Sequence, residues 1–353
     1  MANQDVMTVS GMFQGREVRK YTLANKNGME VDVLNYGGII SRWTAPDKQG
    51  KFENVVLSFD DPMQYLTENP FLGALIGRYG NRIANGQFTL DGNTFTLCKN
   101  HGKHHLHGGF KGFDKVFWDI SVLDTSKGTA LELSYTSPHG EEGYPGKLQV
   151  TVTYTLLDTN ELDVRYLAKT DRPTIVNLTQ HSYFNLSGNL CSPVLDHEIF
   201  LNADSFLPVD DELVPTGELR DVCGTPFDFR KPKLIGKDIE KHHEQLSFGN
   251  GYDHCWSLNT AENKFQLAAS AYHGKSGRFL QVYTSEPGIQ FYSGNFLDVK
   301  LPGKSESSYS NRCGFCLETQ HFPDTPNHTH FPTVTLKPEE TYFSRTLFKL
   351  SSH

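Results

Sequence analysis

Apolar and polar residues alternate with period two along much of the chain, and the clearest run is LQVTVTYTL at 148–156. Leu148, Val150, Val152, Tyr154 and Leu156 fall on one side, with Gln149, Thr151, Thr153 and Thr155 on the other, the pattern of a strand with one core face. After Asp158-Thr159-Asn160, the segment ELDVRYLA repeats it with Leu162, Val164 and Tyr166 inward, so an antiparallel hairpin is predicted. A second hairpin is predicted over QFTLDGNTFTL. There Phe88 and Leu90 face Phe95 and Leu97 across Asp91-Gly92-Asn93, residue types that tolerate positive φ. Helical periodicity is scarce, and GKDIEKHHEQL (236–246) is its best run. With 31 Gly and 17 Pro cutting the chain into short segments and no low-complexity linker, the pattern predicts an all-β protein. One large antiparallel sandwich with few short helices, spanning residues 1–353 as a single domain, is the simplest architecture.

Composition narrows the function classes. The 24 Phe and 15 Tyr suit strands, and a net charge of −8 without any Lys/Arg stripe offers no field for a phosphate backbone, so nucleic acid is not an expected partner. No run of 18 apolar residues occurs, and the first twenty residues lack the apolar core of a signal peptide; a cytoplasmic location without a membrane partner is expected. The six cysteines are too dispersed for a disulfide framework and are expected as free thiols. In RCGFC, Cys313 and Cys316 would face opposite sides of a strand, which argues against a redox or zinc pair. The Asn-x-Ser/Thr matches at Asn177, Asn185 and Asn327 would matter only in a secreted product.

Five segments look unlike strand filler, because titratable residues crowd among glycines and aromatics: GRYGNRIANG, HHLHGGFKGFDKVFW, NLTQHSYFNL, GNGYDHCW and CLETQHFPDTPN. Each residue has an ordinary reading. Arg78 and Arg82 suit surface charges, His101 to His107 a solvated loop, His181 a satisfied core histidine, Asp253 a cap or turn, and Glu318 an edge-strand carboxylate. The histidines of HGKHHLHGG lack zinc-ligand spacing with a carboxylate or cysteine, so no metal is expected.

Taken together and in order, these segments resemble the aldose 1-epimerase (galactose mutarotase) family, from NYGGIISRW (35–43) through GRYGNRI, HLHGG, GFDKVFW, NLTQHSYFNL, YDH and PGIQFYSGNFL to CLETQ. The resemblance implies a large twisted antiparallel β-supersandwich, a free hexose bound in a cleft on one sheet, no cofactor, and a monomer or homodimer. Position by position, it makes His181 the general acid and Glu318 the general base. Asn81, Arg82, His107, Asp253 and Gln290 would then hold sugar hydroxyls, with Tyr183 beside the acid. The pair GRYG before Asn81-Arg82 departs from what relatives often carry, which leaves the shape of that loop open.

The chemistry asks for such residues independently of any family. Exchanging the anomers of a pyranose means taking the C1 hydroxyl proton while protonating the ring oxygen, so that the C1–O5 bond opens. Rotation about C1–C2 and reclosure then require each group to act in reverse. Histidine starts near neutrality, whereas a glutamate must be raised by burial, and the apolar flank of Glu318 favours that. On this reading activity rises as Glu318 ionises and falls as His181 loses its proton. Rival readings are a hexose-6-phosphate 1-epimerase, which would need further cations for the phosphate, a glycosidase built on Glu318 and Asp253, and a carbohydrate-binding protein without catalysis.

Overall fold

The computed structural model describes residues 6–125, 128–259, 264–300 and 308–353. The alternating run at Leu148–Leu156 forms a strand whose five inward residues are all buried, and it pairs antiparallel with Glu161–Thr170, from Leu148 opposite Thr170 to Leu156 opposite Leu162. The second predicted hairpin also forms, Gln87–Leu90 against Asn93–Thr96, with Asp91 at φ 50° and Gly92 at φ 76° in its turn. The predicted helix over 236–246 does not form as a unit. A 3-10 turn covers Ile235–Lys237, and a six-residue α-helix starts later, at Glu244–Gly249, where His243 accepts from the Gln245 amide and Asn250 ends the helix with left-handed backbone. No helix among the described residues is long and apolar enough to cross a membrane.

Two large antiparallel sheets dominate. The first has nine strands, with Leu148–Leu156 and Glu161–Thr170 near one end and the long strand Tyr342–Ser352 at its centre. The second has six and includes β1 (Tyr183–Phe184), β2 (Asp253–Ser257), β3 (Gly288–Tyr292) and β4 (Phe315–Gln320), placed side by side in the order β1, β4, β3, β2. One apolar cluster joins them, with Val150, Tyr154 and Val282 from the first sheet and Trp256, Ile289, Phe291 and Leu317 from the second. A five-stranded sheet formed from the N-terminal part of the chain, ending with Ile40–Pro46 and Phe52–Asn54, adds Val31, Val33 and Trp43 to the same core. This is a twisted antiparallel supersandwich, the all-β class that the alternation predicted.

The loop GRYG is pinned from inside. Arg78, read from the sequence as a surface charge, is 2% exposed and donates to the carbonyls of Pro145 (2.7 Å) and Gly146 (2.9 Å) and to Thr174 Oγ1 (3.0 Å). Its guanidinium also lies over the Tyr144 ring at 5.3 Å. Next to it, the Tyr79 hydroxyl donates to the Phe322 carbonyl and accepts from the Thr325 amide. Two side chains from neighbouring positions thus tie this loop to three distant segments, which fixes the backbone leading into Asn81 and Arg82. Arg78→Ala strips several buried acceptors of their donor and should lower unfolding free energy by about 2–4 kcal/mol. Chemical denaturation measures this; a change within about 0.5 kcal/mol would show that the guanidinium does not anchor the loop.

Candidate active site

Strand register assembles most of the site. Tyr183, Cys316, Tyr292 and Asp253 stand opposite one another in a row across β1, β4, β3 and β2, and Glu318, Gln290 and Cys255 form the next row. Because residues two apart share a face, both rows lie on the same side of the sheet. The alternate residues Leu317, Phe291 and Trp256 point into the core. Glu318 therefore sits in an interior strand, 2% exposed, and not on an edge as its ordinary reading had it. Asp253, read as a cap or turn residue, opens strand β2.

The remaining groups come from the loops facing these rows. The strand pair Arg82–Ile83 with His105–Leu106 delivers Arg82 and His107, both 7% exposed, so neither the surface-charge nor the solvated-loop reading holds for them. Asn81 and His107 both take left-handed backbone, at φ 64° and 51°, and lock together: the Asn81 amide donates to His107 Nδ1 at 3.1 Å, and the His107 amide donates to the Asn81 carbonyl. With Nδ1 accepting, the proton of neutral His107 is on Nε2, a donor free for a ligand. His181 follows the short pairing of Thr179–Gln180 with Leu75–Ile76, its amide donating to the Ala74 carbonyl. Its Nε2 lies 3.6 Å from Glu318 Oε1, and its ring centroid lies 5.0 Å from that of Tyr183 and 5.3 Å from that of His107.

Burial sets the electrostatics. Desolvation pushes the Glu318 carboxyl well above the usual carboxylate range; the Asp253 charge adds to this and Arg82 opposes it. Asp253 is likewise raised by burial, against the pull of Arg82, whose Nη2 is 3.9 Å from Oδ2, and of Gln290, whose Nε2 donates to Oδ1 at 2.7 Å. His181 moves the other way, down to about 4, because burial disfavours the imidazolium. His107 is lowered too, by burial first and then by the neighbouring His181 and Arg82. Three buried atoms, Glu318 Oε2, Gln290 Oε1 and Arg82 Nε, find no hydrogen-bond partner among the described residues. Groups this deep are normally paired, so together they mark a place built for a polar ligand. A cavity of about 800 Å³ adjoins it, lined in part by Phe71, His101, Leu106 and Phe110.

The structure thus brings together all eight residues expected at the site: Asn81, Arg82, His107, His181, Tyr183, Asp253, Gln290 and Glu318. Of the other histidines of HGKHHLHGG, His101 lines the adjoining cavity, while His105 and His104 are spent elsewhere. His105 Nε2 meets the Tyr144 hydroxyl at 2.6 Å, and His104 Nδ1 accepts from the Asn85 amide. Away from the site, His197 and His273 converge on Asp196. His197 Nε2 accepts from the Leu186 amide, so its Nδ1 carries the proton toward Asp196, an arrangement of donors around one carboxylate. Two site residues escaped the sequence reading. Phe71, bulky yet at φ 61°, places its ring 4.7 Å from that of His107 and stacks on His181 at 5.8 Å; only the preceding Pro70 hints at an unusual backbone there. Cys316, with Sγ 3.5 Å from His181 Nδ1, was detectable as the residue two before Glu318 on a strand.

Comparison with known proteins bears on the chain as a whole. A family profile described as Aldose 1-epimerase matches residues 19–349. Galactose mutarotase of Bos taurus is 48% identical over 334 residues, covering 95% of this chain and 94% of its own. Aldose 1-epimerase of Escherichia coli K12 is 39% identical, covering 95% and 96%. The crystal structure of an aldose epimerase homologue from C. elegans superposes with a TM-score of 0.86 at 32% identity, covering 95% of this chain and 99% of that one. A profile match across nearly the whole chain, with relatives approaching half identity, places this chain in the aldose 1-epimerase family, a family of isomerases.

Proposed function

We propose that this protein interconverts the α and β anomers of free hexoses, D-galactose and D-glucose among them, with Glu318 as the base and His181 as the acid. The observation that carries this reading is the buried pair itself, 3.6 Å apart and adjoining unpartnered polar atoms. The C1 hydroxyl and the ring oxygen share one carbon, so a base and an acid serving both must lie within a few ångströms of each other. Ionised Glu318 takes the C1 hydroxyl proton, the C1–O5 pair withdraws to O5, and O5 takes the proton from His181 Nε2. The open aldehyde turns about C1–C2, and the same two transfers run backwards on the other face. Arg82, Asn81, His107 Nε2, Asp253 and Gln290 supply donors and acceptors for hydroxyls, with Tyr183 and Phe71 as ring walls. The whole chain, on this proposal, is one catalytic domain. Its six unpaired thiols fit a reducing compartment such as the cytoplasm.

A phosphorylated substrate would need further cations. Arg82 is buried beside Asp253, and of the two lysines on the cavity wall Lys115 is bound to Asp114 at 3.0 Å while Lys300 shares the wall with Glu68 and Asp298. Polarimetry of freshly dissolved α-D-glucose and α-D-galactose with purified protein, beside their 6-phosphates, should show faster relaxation with the free sugars. Acceleration confined to the phosphates would replace the proposal with its hexose-6-phosphate rival.

The directions of the two pKa shifts reverse the pH assignment expected from sequence. Glu318 is pushed up and His181 down, so the free enzyme holds one proton on the pair, and the reactive arrangement is its minor form with the proton on His181. The acidic limb of the rate profile then reports the pair gaining a second proton on His181, and the alkaline limb the loss of the proton held by Glu318. Glu318→Gln removes the proton acceptor while keeping size and hydrogen bonds. Turnover should fall by about 10²–10⁴-fold with KM within about tenfold, and the bell should give way to a single decline of the residual rate as pH rises through the range of His181. Polarimetric rates across pH check this; a variant retaining a tenth or more of wild-type kcat would remove Glu318 from the role of base.

A further inference from the structure

Cys316 belongs to the site face of β4, two residues before Glu318, and is 0% exposed. Its sulfur lies 3.5 Å from His181 Nδ1, the ring nitrogen that points away from Glu318. We infer that Cys316 is a positioning residue for His181: its sulfur accepts the Nδ1 proton and so keeps Nε2 as the nitrogen that exchanges a proton with the sugar's ring oxygen. This rests on His181 being the acid of the reaction.

The argument follows the proton. When the imidazolium gives its Nε2 proton to O5, the ring that remains is the neutral tautomer with hydrogen on Nδ1. Reclosure of the sugar needs that same tautomer, because Nε2 must present a lone pair to take the proton back. An acceptor at Nδ1 preserves it through both directions, whereas a donor there would flip the ring to the tautomer with hydrogen on Nε2, which cannot act as the base. The kind of acceptor matters as well. A carboxylate at Nδ1 would stabilise the imidazolium and make it a weaker acid. Burial, and then the Glu318 and Asp253 charges, hold the Cys316 thiol well above its ordinary range, so it stays neutral, and neutral sulfur is a weak acceptor. The proton donor stays strong and its tautomer stays fixed.

Among the described residues, Cys316 is the one side chain with a hydrogen-bond contact at His181 Nδ1. Glu318 faces Nε2; His107 presents its ring at 78° to that of His181; Tyr183 packs its ring at 32°; and Phe71 stacks on the same ring at 30°. The residue's own backbone carbonyl favours the charged form, the smaller of the two influences on its pKa after burial. That carbonyl already accepts from the Gly73 amide at 3.0 Å.

The test compares Cys316→Ala, Cys316→Ser and a His181→Asn control by polarimetry across pH, with thermal melting of each variant to confirm folding. Cys316→Ala should lower kcat about tenfold with KM within about twofold, and should move the acidic limb to lower pH, because the imidazolium loses an acceptor. Cys316→Ser keeps an acceptor and should recover kcat to within about threefold of wild type. Nitrogen chemical shifts of ¹⁵N-histidine-labelled wild type should show neutral His181 protonated at Nδ1. A folded Cys316→Ala protein with wild-type kcat and an unmoved profile, or a neutral His181 protonated at Nε2, would overturn the inference. His181→Asn tests the parent reading separately: if it keeps turnover, His181 is not the acid and the role of Cys316 falls with it, whereas loss of turnover there beside an unaffected Cys316→Ala refutes the positioning role alone.

Discussion

A carboxyl and an imidazole lie 3.6 Å apart with almost no access to water, and the rest of the site depends on what that contact permits. Burial raises the first group and lowers the second, so between them they hold one proton. A pair of this kind can lend a proton at one atom and take one at another without net change, which is what anomer exchange at a single carbon demands. Neither group could do this in water, where the glutamate would be too weak a base. The fold's contribution is to keep both out of water while leaving their lone pairs unspent.

That is costly, and the structure shows how it is sustained. β4 is buried on both faces along all six residues, and it carries Glu318 directly opposite Gln290 of β3. Behind it, Leu317, Phe291 and Trp256 anchor the sheet in the common core, and the desolvation that shifts Glu318 is thus supported by packing on the opposite face. Facing it, the loop that bears Asn81 and Arg82 is tied down by the buried Arg78 and Tyr79, whose hydrogen bonds reach distant segments. Rigid elements on both sides hold the donors of the sugar site without help from the ligand.

Much of this was legible in the sequence, for definite reasons. Strict alternation at 148–156 and the turn at Asp91-Gly92 specified hairpins because period and turn chemistry are local properties. The eight residues that the structure gathers at the site could be named through the ordered resemblance, which compresses long-range geometry that no single segment carries. What was not legible is tertiary. Arg78 looks like any exposed arginine until Pro145, Gly146 and Thr174 are seen around it, and the helical run at 236–246 broke because its caps lie at His243 and Asn250. The order of the two pKa values was likewise hidden, since depth of burial is a property of the assembled sheets and not of residue type.

The central claim is that the free enzyme stores its proton on Glu318, opposite a neutral His181. Infrared difference spectroscopy of wild-type protein against Glu318→Gln reads this directly, because a protonated carboxyl has a carbonyl band distinct from that of a carboxylate. The account predicts a protonated-carboxyl band in the wild type between the two limbs of the rate profile that is missing from the glutamine variant and fades at the alkaline limb. A wild type showing only carboxylate bands attributable to Glu318 between those two limbs would contradict it.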